Sequence, residues 1–152
     1  MTLHRLHRIQ TIPVPQDVAW AFFSDPLNLA AITPPWLDFR VTGPPPSPMY
    51  GGQILTYTVC PLPRLRMRWV TEISHVRRPD FFVDQQRLGP YRLWHHQHLF
   101  RSAAEGTEME DVVHYALPFW PLGELGRTMV AARLDAIFEF RRQTLARMFG
   151  QT

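Results

Sequence analysis

Three imidazoles fall within the run Trp94-His95-His96-Gln97-His98. On a strand, neighbouring side chains point to opposite faces. Trp94, His96, His98 and Phe100 then share one face, and His95, Gln97 and Leu99 share the other. A turn near residues 102–106 folds the next run back as a hairpin. If it pairs Phe100 with Thr107, His98 lies opposite Met109 and His96 opposite Asp111. A slip of one residue would send Asp111 to the other face. In the favoured register His96 and Asp111 form a hydrogen-bonded pair. Such a pair can pin two strands together, orient the polar end of a ligand in an apolar pocket, or act as a general acid–base couple in which the carboxylate raises the basicity of the imidazole. The first is the ordinary role of polar cross-strand neighbours. No second catalytic group stands out to favour the third.

A metal reading uses the same residues. His96 and His98, two apart on one face, could meet one ion, with Asp111 adding a carboxylate. Zinc usually takes three or four ligands in closed geometry, and this spacing matches no standard zinc motif. No metal is therefore expected. Arg64, Arg66 and Arg68 form a basic stripe that could meet phosphates. The plainer reading is the wet face of a half-buried strand, because no recognition helix and no RNA-binding aromatic signature accompanies it. The serines lack a nucleophile-elbow setting, and Cys60 carries no sign of activation. Gly51-Gly52 lacks the strand-to-helix context of a phosphate loop, so no cofactor is implied.

The elements that must position these groups follow from the pattern. Residues 3–14 read as a strand ended by Pro13 and Pro15. Residues 16–23 form a short helix with Val18, Phe22 and Phe23 inward. Asp25-Pro26 opens a second one, Asp capping free N–H groups and Pro fitting the first helical position, with Leu29 and Ile32 as its apolar face. Strands follow over 37–42, 51–60, 65–76, 81–88, 91–101 and 107–117, and the Pro-rich run Gly43–Pro48 is an extended connection. Over 65–76 the alternation is clean, with Leu65, Met67, Trp69, Thr71 and Ile73 on one face, as expected of a half-buried antiparallel strand.

After Pro118 and Pro121 the period changes. From Leu122 to about Phe149, apolar residues including Leu125, Met129, Leu134, Ile137, Phe138, Leu145 and Met148 recur mostly at spacings of three and four. This is an amphipathic helix, ended by Gly150. Arg141, Arg142 and Arg147 near its C-terminus suit the helix dipole. Strands segregated from helices argue an α+β domain. The expected fold is a curved antiparallel sheet of six to seven strands gripping one long C-terminal helix, in one domain over 1–152.

The bulk properties agree. The chain has 152 residues, 45% of them hydrophobic, and one cysteine. That suits a single domain with its own core and no internal disulfide. The net charge is +3 and all 16 basic residues are Arg, too mild an excess for a dedicated nucleic-acid tail. No apolar run approaches the roughly 18 residues of a membrane span, and the first eight residues are too polar for a secretory signal. A cytoplasmic location is expected.

Three motifs also resemble a family. The run Asp25-Pro26-Leu27-Asn28-Leu29-Ala30-Ala31-Ile32-Thr33-Pro34-Pro35 is similar to a segment of bacterial members of the START-related superfamily SRPBCC. So is Phe82-Val83-Asp84-Gln85-Gln86-Arg87-Leu88-Gly89-Pro90-Tyr91, followed by Trp94-His95-His96-Gln97-His98-Leu99-Phe100. Asp111-Val112-Val113-His114-Tyr115-Ala116-Leu117-Pro118 is the third. The resemblance implies a helix-grip fold with a cavity between sheet and helix, as in lipid carriers, plant pathogenesis-related proteins and polyketide cyclases or dehydratases. The superfamily shares a container rather than a reaction. The leading expectation is that the chain binds a small apolar molecule, lipid-, polyketide- or isoprenoid-like. Trp69, Phe82, Trp94, Tyr115 and Met129 would line the cavity, and His96, His98 and Asp111 would supply its polar groups. A cyclase or dehydratase using His96 and Asp111 is the alternative, and a protein-interaction module a third.

Overall fold

The computed structural model describes residues 1–44 and 48–151. The described residues form one seven-stranded antiparallel sheet and a long C-terminal helix. Strand β1 (His4–Ile12) leads into helix α1 (Gln16–Phe23) and helix α2 (Pro26–Leu29). Then come β2 (Arg40–Thr42), β3 (Gln53–Leu62), β4 (Leu65–Arg77), β5 (Phe81–Leu88), β6 (Leu93–Ala103) and β7 (Gly106–Ala116), and finally helix α3 (Arg127–Phe149). The strands lie in the order β1-β7-β6-β5-β4-β3-β2. Strands β2 to β7 are thus a plain meander, and β1 closes the order beside the last of them. Register shifts interrupt the β3–β4 and β4–β5 ladders. Such bulges bend a strand and sharpen its twist, which suits a sheet that wraps a helix.

The first loop behaves as its sequence demands. Asp25 Oδ1 accepts from Leu27 N at 2.9 Å, and Pro26 takes the first helical position. A 3-10 turn, Ala30–Ile32, continues α2, with Ile32 buried. In α1 the inward face is Ala19 and Trp20, whereas the expected Val18 is exposed and Phe22 and Phe23 are half-buried. The reason is Trp20, whose ring packs edge-on against both Phe82 and Phe100. A large aromatic contributes more contact area than a valine and sets the rotation of so short a helix. The expected strand over 37–42 is shorter: Pro35–Leu37 is a 3-10 turn and only Arg40–Thr42 pairs. The extended connection expected through Pro45, Pro46 and Ser47 lies outside the described residues.

The long helix begins later than the hydrophobic period suggests. Leu122–Gly126 is a 3-10 turn, and the α-helix starts at Arg127. Gly123 and Gly126 weaken helix there, and Leu125 is 87% exposed. The buried stripe of α3 is Leu134, Phe138, Arg141, Thr144 and Leu145. One half of the core joins Leu145 to Ile12, Trp20, Phe82, Phe100 and Met109. The other joins Leu134 and Phe138 to Leu6, Trp94, Val113 and Tyr115. The helix is therefore clamped at both ends of its length.

The β6–β7 hairpin differs from expectation in register. Ala103 pairs with Gly106 across a turn of Ala104 and Glu105, so Phe100 meets Met109, His98 meets Asp111 and His96 meets Val113. The turn is tighter than expected because Gly106 adopts φ +135 beside the β1 end; a Cβ there would stand 2.1 Å from the Ile12 carbonyl oxygen. The ladder is displaced by two residues from the favoured pairing. An even displacement keeps every side chain on its face.

Candidate functional site

Alternation along β5, β6 and β7 sends Asp84, His96, His98 and Asp111 to the face that looks at α3. Their side chains form a closed cluster. His96 Nε2 donates to Asp111 Oδ1 at 2.7 Å, and His98 Nε2 donates to Asp84 Oδ2 at 2.6 Å. The remaining ring nitrogens stand close to the other carboxylate: His96 Nδ1 is 3.5 Å from Asp84 Oδ2, and His98 Nδ1 is 3.4 Å from Asp111 Oδ1. The imidazoles lie against each other with centroids 3.7 Å apart. Phe82 stacks on the outer side of His98 at 4.1 Å. Two imidazoles are thus packed together and flanked by a carboxylate on each edge.

Arg141 completes the group from above. Its Nη1 is 3.6 Å from Asp111 Oδ1, and its guanidinium lies 4.9 Å from the Phe138 ring centroid. The residue is only 9% exposed. The dipole role expected of it does not apply, because the side chain turns inward from the buried stripe. Of its two companions, Arg142 pairs with Glu139 and Arg147 donates to Thr144 Oγ1.

Burial and partners set the charges. Burial alone would raise both carboxyl groups. For Asp111 this is overcome by the hydrogen bonds of His96 and His98 and by the charge of Arg141, so its pKa falls well below the carboxylate range. For Asp84 the charge of His96 and the hydrogen bond of His98 lower it in the same way. The imidazoles part company. Burial and the neighbouring His98 push His96 down. Burial acts the same way on His98 but is outweighed by its hydrogen bonds to Asp111 and Asp84, so His98 is raised. Like charges in contact cannot both form easily, and the pair titrates as a unit.

The cluster forms the charged end of a cavity of about 530 Å³ between sheet and helix. Trp69, Phe82, Trp94, His96, His98 and Met129 line it, as do Asp84 and Arg141. Asp111 is not at the wall; it backs His96 and His98 from behind. Tyr115 is not at the wall either. Its ring packs against His4 and Tyr91, in the solid part of the core, because β7 lies next to the edge strand and beyond the hollow. The rest of the wall is mostly apolar, with Leu55, Val59 and Ile73 from the sheet and Ile137 from the helix. Burial raises the Tyr57 phenol, with Asp84 adding to the effect, so this wall residue stays a neutral hydrogen-bonding group.

Asp84 was not singled out from the sequence, although its alternation with Phe82 already placed it on the inward face. Arg141 carries a comparable signal: it occupies a stripe position between Phe138 and Leu145. Asp84, His96 and His98 each offer a ligand atom within 4.8 Å of the others, so the carboxylate available to a cation is Asp84 rather than Asp111. One feature works against a cation there: the Arg141 charge stands beside the same group. The Arg64–Arg66–Arg68 stripe lies outside this site. Arg64 occupies the β3–β4 turn, and Arg66 pairs with Asp38 on the exposed face.

A meander wrapped on a C-terminal helix, with a cavity between them, defines a helix-grip domain. The family model described as polyketide cyclase / dehydrase and lipid transport matches residues 12–138, and the chain belongs to that family. No curated protein matches the sequence. Among solved structures, the chain is similar to the ZhuI aromatase/cyclase from Streptomyces sp. R1128, at TM-score 0.72 and 11% identity, over 95% of this chain and 92% of that one. It is similar to protein CV1439 from Chromobacterium violaceum at TM-score 0.72 and 13% identity over 100% of both chains. Protein Ms6760 from Mycobacterium smegmatis aligns at TM-score 0.69 and 16% identity, over 97% and 96%. At such identities the likeness is one of fold. Among the described residues no helix is long and apolar enough to cross a membrane.

Proposed function

We propose that the chain binds a small, predominantly apolar molecule between its sheet and α3, with the ligand's polar end at Asp84, His96, His98 and Arg141. The observation that carries this reading is the cavity itself: about 530 Å³ of mostly apolar wall ending on one buried charged cluster. That volume falls within the range that holds drug-sized ligands, and a few convergent polar groups in an apolar wall are what orients such ligands. The family's description as cyclase, dehydrase and lipid transport supports a ligand of this kind. The test is titration with N-phenyl-1-naphthylamine, a neutral apolar fluorophore. Saturable binding is expected, weakened by Met129→Trp, which obstructs the cavity at a residue of its exposed rim. Absence of saturable binding would favour a protein-interaction role for the same surface.

A second reading has one specific observation behind it. The 2.7 Å bond from His96 to ionised Asp111 fixes the ring's orientation and tautomer, which is what a general base requires. In this cyclase or dehydratase reading Asp111 is a positioning residue and His96 meets the substrate. Asp111→Asn would then abolish turnover of a polyketide-like substrate while the domain stays folded.

A further inference from the structure

We infer that the ligand is an amphiphilic monoacid whose carboxylate docks on Arg141 at the floor of the cavity, with its apolar body running toward the mouth. The inference rests on the cavity reading above and names the chemistry of the ligand's polar end.

The first ground is an unanswered donor. Guanidinium carries five N–H donors and can accept nothing. Arg141 Nε is buried without a hydrogen-bond partner among the described residues. The approach of Nη1 to Asp111 Oδ1, at 3.6 Å, is too long for a hydrogen bond. That oxygen is already occupied by His96 at 2.7 Å. Buried polar groups are nearly always satisfied, and an exception of this kind marks a missing partner. Arg141 lines the cavity, so its guanidinium borders the space that a ligand would fill.

The second ground is the distribution of polarity along the cavity. Among its lining residues, Phe119 is 84% exposed, Met129 52%, Leu65 47% and Trp36 46%, while His96, His98 and Arg141 are each 9% exposed or less. The rim is mostly apolar, with Arg133 stacked on Trp36 within it, and the buried charges gather at the floor. A molecule matching that gradient has its polar group leading and its hydrocarbon trailing.

The third ground is charge. At the floor, Asp84 and Asp111 stand beside Arg141 and the two imidazoles of His96 and His98. An anion entering there meets Arg141 beside two carboxylates, so a single negative charge is easier to match than a dianion such as phosphate. A carboxylate also fits the planar fork of guanidinium, accepting two parallel hydrogen bonds.

Displacement of N-phenyl-1-naphthylamine by decanoic acid and by 1-decanol at pH 7.5 tests this. In the unmodified protein the acid should bind about tenfold more tightly than the alcohol, or better, as suits a charge-assisted bond in a dry site. Arg141→Met keeps length and apolar contact. It should erase the preference for the acid, and displacement of the fluorophore by decanol, whatever its strength, shows that the variant is folded. Equal affinity for acid and alcohol in the unmodified protein, or a preference that survives in Arg141→Met, would overturn the inference and leave the cavity reading standing. So would a fluorophore that binds but is displaced by neither. A fluorophore that does not bind at all removes the cavity reading and this inference with it.

Discussion

Asp111 Oδ1 accepts a 2.7 Å hydrogen bond from His96 Nε2, although the residue directly across the ladder from Asp111 is His98. The bond is diagonal. It leaves His98 free to reach sideways to Asp84 on the next strand, so that three strands, β5, β6 and β7, are tied by one polar cluster. A buried carboxylate alone would be costly; here every charge has a neighbour of opposite sign.

Removing one member should therefore cost more than its own contact. Asp111→Ala leaves the His96, His98 and Arg141 side chains facing each other without a carboxylate between them. The expected loss is about 3–5 kcal/mol in urea denaturation, the range for breaking a buried ion pair. A loss below about 1 kcal/mol would mean that water replaces the carboxylate freely.

The imidazoles should shape the pH profile of stability. The folded pKa of His96 lies below the unfolded value of about 6.5, so its contribution grows as pH rises toward that value. For His98 the folded pKa lies above it, so its contribution is full below about 6.5 and is lost as pH rises through the folded pKa. Together they produce a maximum near the ordinary histidine pKa. His98→Gln should flatten the alkaline limb of that profile in denaturant midpoints taken between about pH 5 and 9. An alkaline limb unchanged by the substitution would place the proton elsewhere.

The grip of α3 on the sheet can be tested away from the cavity. Leu145 is fully buried beside Ile12 and Met109 and does not line the hollow. Leu145→Ala should destabilise the domain by about 2–5 kcal/mol in urea denaturation while leaving fluorophore affinity nearly intact. A matching fall in affinity would show that the cavity depends on the whole helix rather than on its lining face.

The arginine stripe should prove inert. Arg66 pairs with Asp38 at the surface, where such pairs contribute little. Replacing Arg66 and Arg68 together by Ala should change stability by less than about 1 kcal/mol, with no effect on fluorophore binding. A marked loss of affinity would reassign that face.

The sequence revealed which residues share a face better than which residues pair. Period-two alternation placed His96, His98 and Asp111 together whatever the exact register, because an even slip changes partners without changing sides. The slip itself depended on a two-residue turn at Ala104-Glu105, which the Glu105-Gly106 signal does not distinguish from a longer one. Arg141 was hidden for a different reason. A charged residue within an apolar stripe near a helix end has a ready explanation in the dipole, and only the packing against Phe138 and Asp111 reveals its inward turn. Asp84 was readable by the same alternation that marked Phe82. Its strand lacks the cluster of imidazoles that drew attention to β6, so chemistry pointed elsewhere. Tyr115 shows the limit of face assignment: the inward face of a sheet is partly hollow and partly solid, and alternation alone does not say which part lies over a given strand.

The most direct test of the central claim is an imidazole nitrogen NMR titration with N-phenyl-1-naphthylamine. His96 and His98 line the cavity, while His95 and His114 lie on the opposite face of the sheet. Saturable shifts at His96 and His98, with His95 and His114 unmoved, are the result the cavity account requires. Saturable fluorophore binding that leaves both His96 and His98 unperturbed would contradict it.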